Sequence, residues 1–365
     1  MDQSSSAPEL SAAATGELEL AGRRVLVTGG SGFIGSHIIR ALLDGGVAGV
    51  LNLDSHTYAA DESRLGAAVE DPRYRLVRVD VADHRAVHPM VIDYRPYIVI
   101  HCAGESEVTR SEFDSNLFHH TNVEGTRTML RAAESAGAAR FVQLSTDKVY
   151  GSVENGVSFE GDRTPGIPLG LNEYTESKAV ADDLVATYQG DLEWQVLRPA
   201  NVFGPWQFPE KSFPRWTVRA LRRETIPVWG DGGYIRQWLY IDDLVQAVLL
   251  LIRRGALRAV YNVGPHLVPE LTNLEMAALV ARNAGAPEDL VRGTEYDRPK
   301  HDRRYRVDSS RLFQLGWKTG DLLEQVTRTV EWYHENQAWW YGHLEVAESI
   351  FSDIEPVRAV TPRKG

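Results

Sequence analysis

The chain has 365 residues, 43% hydrophobic and 24% charged, enough for one large core or a core with an added lobe. Its formal net charge of −11 argues against non-specific binding to nucleic acid or to an anionic membrane, so cations that meet an anionic ligand must be local. A single cysteine, Cys102, excludes an intrachain disulfide and fits a reducing compartment, and no apolar stretch approaches the ~20 residues of a membrane span.

Residues 1–20 carry neither a basic n-region nor a long apolar core, so they read as a disordered tail rather than a secretory signal, and a cytoplasmic protein is expected. From 21 to 200 short apolar runs alternate with helical patterns. Strands are expected at Val25–Thr28, Val50–Leu53, Arg75–Val79, Tyr97–His101, Arg140–Leu144 and Glu193–Leu197. Helices are expected at Phe33–Leu43, Asp83–Tyr94, Phe113–Ala136 and Glu173–Tyr188. Such alternation predicts an α/β fold, a doubly wound parallel sheet. The apolar stripes of 113–136 and 173–188 suit either packing on the sheet or a dimer interface.

The first strand runs into Gly29-Gly30-Ser31-Gly32-Phe33-Ile34-Gly35 and a helix. Glycines at 29, 32 and 35 allow a tight turn, a close backbone approach to a pyrophosphate, and helix–sheet packing, with the helix N-terminus facing phosphate charge. Asp54 lies 19 residues beyond Gly35 at the end of the second strand, where a carboxylate accepts both ribose hydroxyls and repels a 2′-phosphate. No Arg follows it, so the expected cofactor is NAD. Asp80 and Val81, after the third strand, are placed beside the adenine, with a helix cap as the competing role of Asp80. Cys102 ends the apolar run Tyr97–Ile100 and reads as a small buried residue rather than a nucleophile.

Residues 145–151 read Ser-Thr-Asp-Lys-Val-Tyr-Gly, and Tyr174 precedes Lys178 by one helical turn. A phenol beside an ammonium ionises below its usual pKa of roughly 10, which makes a base for oxidising an alcohol. The adjacent Asp147 and Lys148 suggest chemistry beyond oxidation.

After Pro199 the pattern changes. Residues 201–240 are rich in Pro, Trp and Gly, with turns at Gly204-Pro205 and Gly230–Gly233. Leu239–Arg253 is helical, Ala259–Val263 a strand, and 265–320 a mixture of short helices and loops. The expected organisation is a dinucleotide-binding domain over 21–200 with returning segments near 235–265, a smaller substrate lobe over 201–345 at the C-terminal edge of the sheet, and a tail over 346–365. Leu323–Tyr341, with Trp332, Trp339 and Trp340, reads as one packed helix. Lys211, Arg236, Arg298 and Arg303 would supply cations for a diphosphate, and Asn201 a hydrogen bond to phosphate or sugar.

Several longer motifs accompany these features. They are Leu53-Asp54-Ser-His-Thr57-Tyr58-Ala59, His101-Cys-Ala-Gly-Glu105-Ser106, Thr121-Asn122-x-x-Gly125-Thr126, and Arg198-Pro-Ala-Asn201 through Glu210-Lys211. Gly230 through Asp243 and Asp297-Arg298-Pro-Lys300-His301-Asp302-Arg303-Arg304-Tyr305 complete the set. Together they resemble the extended short-chain dehydrogenase/reductases, most closely the nucleotide-sugar 4,6-dehydratases of the dTDP-glucose type, over roughly residues 23–340. The resemblance implies a Rossmann-like fold, a homodimer, and a nucleoside-diphosphate sugar as substrate. It places Gly29, Gly32, Phe33, Ile34, Gly35, Asp54, Thr57, Asp80, Val81, Ala103, Tyr174, Lys178 and Asn201 at the cofactor. It places Glu105, Ser106, Asn201, Glu210, Lys211, Arg236, Arg298, His301 and Arg303 at the substrate, with no metal.

The reaction implied by resemblance has three steps. Tyr174, lowered by Lys178 and the nicotinamide charge and aided by Thr146, takes the C4 hydroxyl proton while hydride goes to NAD. Water is lost across C5 and C6, with Asp147 as the acid, kept protonated by burial. Hydride then returns to C6. The family's C5 base is a Glu directly after that Asp, where this chain has Lys148; Asp-Lys is also the pattern of UDP-N-acetylglucosamine 4,6-dehydratases. The family segment His-Val-Asp-Arg-Ser reads here Glu107-Val108-Thr109-Arg110-Ser111, so Glu107 is expected to pair with Lys148, as the base or as its counter-ion. Two alternatives remain open from sequence: an NAD-dependent 4-epimerase of nucleotide sugars, and a catalytically silent sugar-nucleotide-binding protein.

Overall fold

A computed structural model describes residues 18–163, 170, 172–266, 270–297 and 301–351. The sheet strands are β1 (Arg24–Thr28), β2 (Gly49–Asp54), β3 (Tyr74–Arg78), β4 (Ile98–His101), β5 (Arg140–Leu144), β6 (Glu193–Pro199) and a last strand, Ala259–Val263. All pair in parallel, in the order last strand–β6–β5–β4–β1–β2–β3. The strand order reverses between β1 and β4, and ligands of open α/β sheets bind above such a point.

The two-residue period of the strands assigns the core. Val25, Val27, Ile98, Ile100 and Val142 face one layer, which includes the helices Phe33–Asp44 and Ile241–Arg254. Leu26, Leu51, Val99, Phe141 and Val196 face the other, with His84–Tyr94, Gly125–Ser135 and Glu173–Ala186. Both faces are covered, so the strands carry continuous apolar runs rather than alternating ones.

Three expected elements differ in form. The stretch 113–136 is a broken helix: Ser115–Phe118, a π turn over His119–Glu124, then Gly125–Ser135. Asp114 caps the first piece through Leu117 N, and Asn122 in the π turn is held by Glu105 and Ser177, so the wide turn presents a polar residue to the loop after β4. Trp238–Tyr240 is a strand paired with Asn201–Phe203, and the following helix starts at Ile241. The C-terminal stretch is two helices, Leu322–Glu335 and Gln337–Tyr341, broken where the Asn336 side chain donates to Trp332 O.

The tail expected from 346 begins inside a helix, Leu344–Ser349, and Phe351 is buried beside Arg215 and Trp229. The first 17 residues of the expected N-terminal tail lie outside the described residues, as do 352–365. Among the described residues no helix is long and apolar enough to cross a membrane.

Candidate active site

The glycine loop stands where β1 ends. Gly29 has φ +67°, and a Cβ there would lie 2.8 Å from the Ala103 backbone, so the turn and the end of β4 meet as bare backbone. A Cβ on Gly35 would collide with the Gly29 carbonyl. Gly35→Ala is therefore expected to abolish NAD retention while lowering Tm by several degrees, which calorimetry with and without NAD would check. Asp54, 7% exposed, accepts from Ser31 N at 2.9 Å and from His56 N at 2.7 Å, which fixes its carboxylate at the mouth of the loop.

One cleft of about 430 Å³ connects this loop to the lobe. Of the expected cofactor residues, Gly29, Gly32, Phe33, Ile34, Gly35, Asp54, Thr57, Val81, Ala103, Tyr174, Lys178 and Asn201 line it. Asp80 does not. It accepts from Ala82 N at 2.9 Å and pairs with His120 at 2.7 Å, a turn-capping role that faces it away from the cleft. Cys102 also lines the cleft, its thiol pushed by burial up to about 12, a packing residue rather than a nucleophile.

The reactive group sits where β5 ends. Ser145 Oγ donates to Asp182 at 2.7 Å, Arg198 makes two bonds of 2.8 Å to the same carboxylate, and Arg198 also donates to Tyr150 OH at 2.7 Å. Arg198, the first residue of the motif that runs to Lys211, is thus a buried structural cation beneath the site. This network fixes the turn that carries Thr146, Asp147 and Lys148.

Thr146 caps the short turn Asp147–Tyr150 through Lys148 N. Asp147 is 1% exposed, and burial pushes its carboxyl up against the opposing pull of Lys148 and Arg236. Its Oδ2 has no hydrogen-bond partner among the described residues. Lys148 Nζ lies 3.6 Å from Asp147 Oδ1 and donates to Asn201 Oδ1 at 3.0 Å.

Tyr174 and Lys178 share one face of Glu173–Ala186, whose N-cap Asn172 accepts from Thr175 N. Burial raises the Tyr174 phenol above its usual value; a hydrogen bond with Thr146 opposes this, and the carboxylates of Asp147 and Glu107 add to the rise. Burial brings Lys178 down to about 8, and its Nζ donates to Leu144 O at 2.6 Å. Against the expected lowering by Lys178 and the nicotinamide charge, desolvation raises the phenol, and Thr146 is the hydrogen-bonding side chain that favours the phenolate.

The expected Glu107–Lys148 pair does not form. Glu107 Oε2 accepts from Thr109 N at 2.7 Å as the cap of Val108–Ser111, and the side chain lines the cleft beside Tyr58 and Tyr174. Glu105 pairs with Arg110 at 3.2 Å, and Lys211 Nζ donates to Ser106 O at 2.9 Å and pairs with Glu210 at 3.2 Å. Glu210 is buried and raised by desolvation.

Arg236 lines the cleft, its guanidinium held by the carbonyls of Ile235 and Asp302 and 4.5 Å above the Tyr305 ring. His301 lines it too, stacked on Tyr234. Arg303 does not reach the cleft: it is exposed and makes two bonds to Asp231, at 2.8 and 2.9 Å. Arg298 lies outside the described residues. Sequence reasoning missed Arg64, Phe208, Arg215, Trp216 and Trp229, which also line the cleft. Trp229 stands directly before the quoted Gly230 motif and Phe208 inside an earlier one; the others carry no local signal. Among the described residues no group of three or more His, Cys, Asp or Glu is placed to hold a metal ion.

The sequence profile of the NAD dependent epimerase/dehydratase family matches residues 25–264. The chain is 41% identical over 324 residues to a dTDP-glucose 4,6-dehydratase of Streptomyces griseus, covering 87% of this chain and 95% of that protein. It is 41% identical over 296 residues to the low-salt glycan biosynthesis protein Agl12 of Haloferax volcanii, covering 80% and 93%. A crystal structure of DesIV, a dTDP-glucose 4,6-dehydratase from Streptomyces venezuelae with NAD bound, matches with a TM-score of 0.82 at 36% identity, covering 88% of this chain and 99% of that one.

Proposed function

The chain belongs to the NAD dependent epimerase/dehydratase family, and within it we propose a nucleotide-sugar 4,6-dehydratase that converts an NDP-hexose to the NDP-4-keto-6-deoxyhexose. Relatives of 36–41% identity over most of the chain carry that activity in their names. The observation that carries the reading is Asp147, a buried carboxyl raised by desolvation, one oxygen of which has no hydrogen-bond partner among the described residues, beside Thr146 and 3.6 Å from Lys148. A 4-epimerase needs no such acid.

The glycine loop and the fixed Asp54 carboxylate fit NAD, the latter suited to a ribose diol and hostile to a 2′-phosphate. When bound, NAD supplies the redox chemistry, taking two electrons from the sugar C4 and giving them back at C6. Tyr174 takes the C4 hydroxyl proton, with Thr146 bonded to its phenol. Asp147 gives its proton to the C6 hydroxyl, which leaves as water. Lys148 takes the C5 proton and, after exchange with solvent, returns one to C5 when hydride has reached C6. Lys211 and Arg236 offer cations to the diphosphate.

A homodimer in the cytoplasm is proposed with this activity. Phe113 and Val180, on the two segments whose stripes suited an interface, are exposed apolar side chains. Light scattering at a mass of two chains is the expected result.

The deciding experiment is mass spectrometry of products from purified protein, NAD and a panel of sugar nucleotides beginning with dTDP-glucose, in deuterated water. Loss of one water with one deuterium at C5 is expected. An isomer of unchanged mass without deuterium would instead establish an epimerase and overturn the reading; no product from any sugar nucleotide would leave only binding.

A further inference from the structure

Arg64 is wholly buried, yet no carboxylate of the described residues comes within ion-pair distance of it. Its partners are carbonyls. Nη1 donates to Ser31 O in the glycine loop at 2.9 Å and to Ala59 O in the loop after β2 at 2.5 Å, and Nε donates to Trp206 O in the lobe at 3.0 Å. Nη2 has no partner. The guanidinium also lies 5.5 Å from the Trp339 ring.

The carboxylates whose fields reach Arg64 are spent elsewhere. Asp54 accepts from Ser31 N and His56 N, Asp61 accepts from Ser63 N, Trp339 Nε1 and His343, and Glu210 pairs through Oε1 with Lys211. A buried cation satisfied by dipoles alone is costly, and it persists only where the surroundings supply a counter-charge. The loop it grips is the one built for a pyrophosphate. Trp206, whose carbonyl takes the third bond, stands at φ +69°, a strained conformation for a large side chain, held by Trp332 and Trp339 packed against its indole.

We propose that Arg64 is a cofactor-positioning residue: its buried charge, fixed behind the glycine loop and tied to the lobe through Trp206, takes its counter-charge from the dinucleotide pyrophosphate and so couples cofactor retention to the seating of the lobe. The inference rests on the NAD reading above.

The test is titration calorimetry of NAD and of adenosine, which lacks the phosphates, on protein stripped of cofactor. If the unaltered protein bound no NAD, the cofactor reading itself would fail. Given that it binds, Arg64→Met is expected to raise the NAD Kd by about tenfold or more and leave the adenosine Kd within about threefold, as loss of a nearby low-dielectric charge requires. Arg64→Lys, which keeps the charge but not the fork, is expected to hold both within about threefold. Tm does not discriminate, because either substitution frees carbonyls. Equal weakening of NAD and adenosine by Arg64→Met, or an unchanged NAD Kd, would overturn the proposal. If Arg64→Met did not fold, Arg64→Lys decides: a selective loss of NAD of about tenfold would overturn it, and retention supports it.

Discussion

Tyr174→Phe is expected to stop the reaction at its first step, with a loss on the order of 10³-fold or more in turnover and no reduced cofactor on mixing with substrate. The phenol is the group in the cleft placed to take the C4 proton, and every later step waits on the 4-keto group. Its fold cost is small, because the ring stays packed against Phe118 and the hydroxyl loses a partner, Thr146, that has Asp147 Oδ1 as another. Burial raises Tyr174, so the phenolate fraction, and with it kcat/KM, rises with pH through neutrality. Lys178, brought down to about 8 by burial, loses its charge above that pH, so the rise is expected to flatten near pH 8. Lys178→Met is expected to lower activity and to remove that break in a pH–rate profile.

The same lysine has a stability signature of definite sign. Its folded pKa of about 8 lies below its ordinary 10.5, so between those values the unfolded chain binds more protons than the folded one. Stability from this group therefore rises with pH from about 8 to 10.5, and below 8 the full penalty of a buried ammonium applies. Denaturant midpoints across pH 8 to 10.5 should climb for the unaltered protein and lose that part of the slope in Lys178→Met.

Much of this was legible in the chain because local rules and fold agree. Strands at Arg140–Leu144 and Ala259–Val263 stand as their apolar runs indicate, since both faces of the sheet are covered and nothing competes with the pattern. Gly29, Gly35 and Asp54 are readable because backbone approach and charge leave no other residue types at those positions. Where site residues fall elsewhere than expected, the cause is a polar side chain whose partner no local pattern reveals. Asp80 finds His120, Arg303 finds Asp231, and Glu107 turns to its own backbone. No spacing rule reveals such choices. Arg64 is the extreme case, with partners on three separate segments and no motif around it.

Asp147→Asn and Lys148→Met are expected to divide the elimination between them. In the reactive form Asp147 is neutral and Lys148 uncharged; transfer of the Asp147 proton to the C6 oxygen and of the C5 proton to Lys148 leaves a carboxylate and an ammonium 3.6 Å apart. That product pair attracts in a low-dielectric site, so the two transfers assist one another. Asp147→Asn keeps shape and removes the acid: reduced cofactor and C5 deuterium exchange should persist while water loss falls on the order of 10²–10⁴-fold. Lys148→Met should lose the exchange as well, although the reduced cofactor still forms. Glu107→Gln retains an oxygen to cap Thr109 N, and exchange within about threefold of the unaltered enzyme is expected, since a neutral acceptor still holds the turn. If Glu107→Gln abolished exchange and Lys148→Met did not, the base would be Glu107, and the Asp147–Lys148 pair would serve only to hold the acid in place.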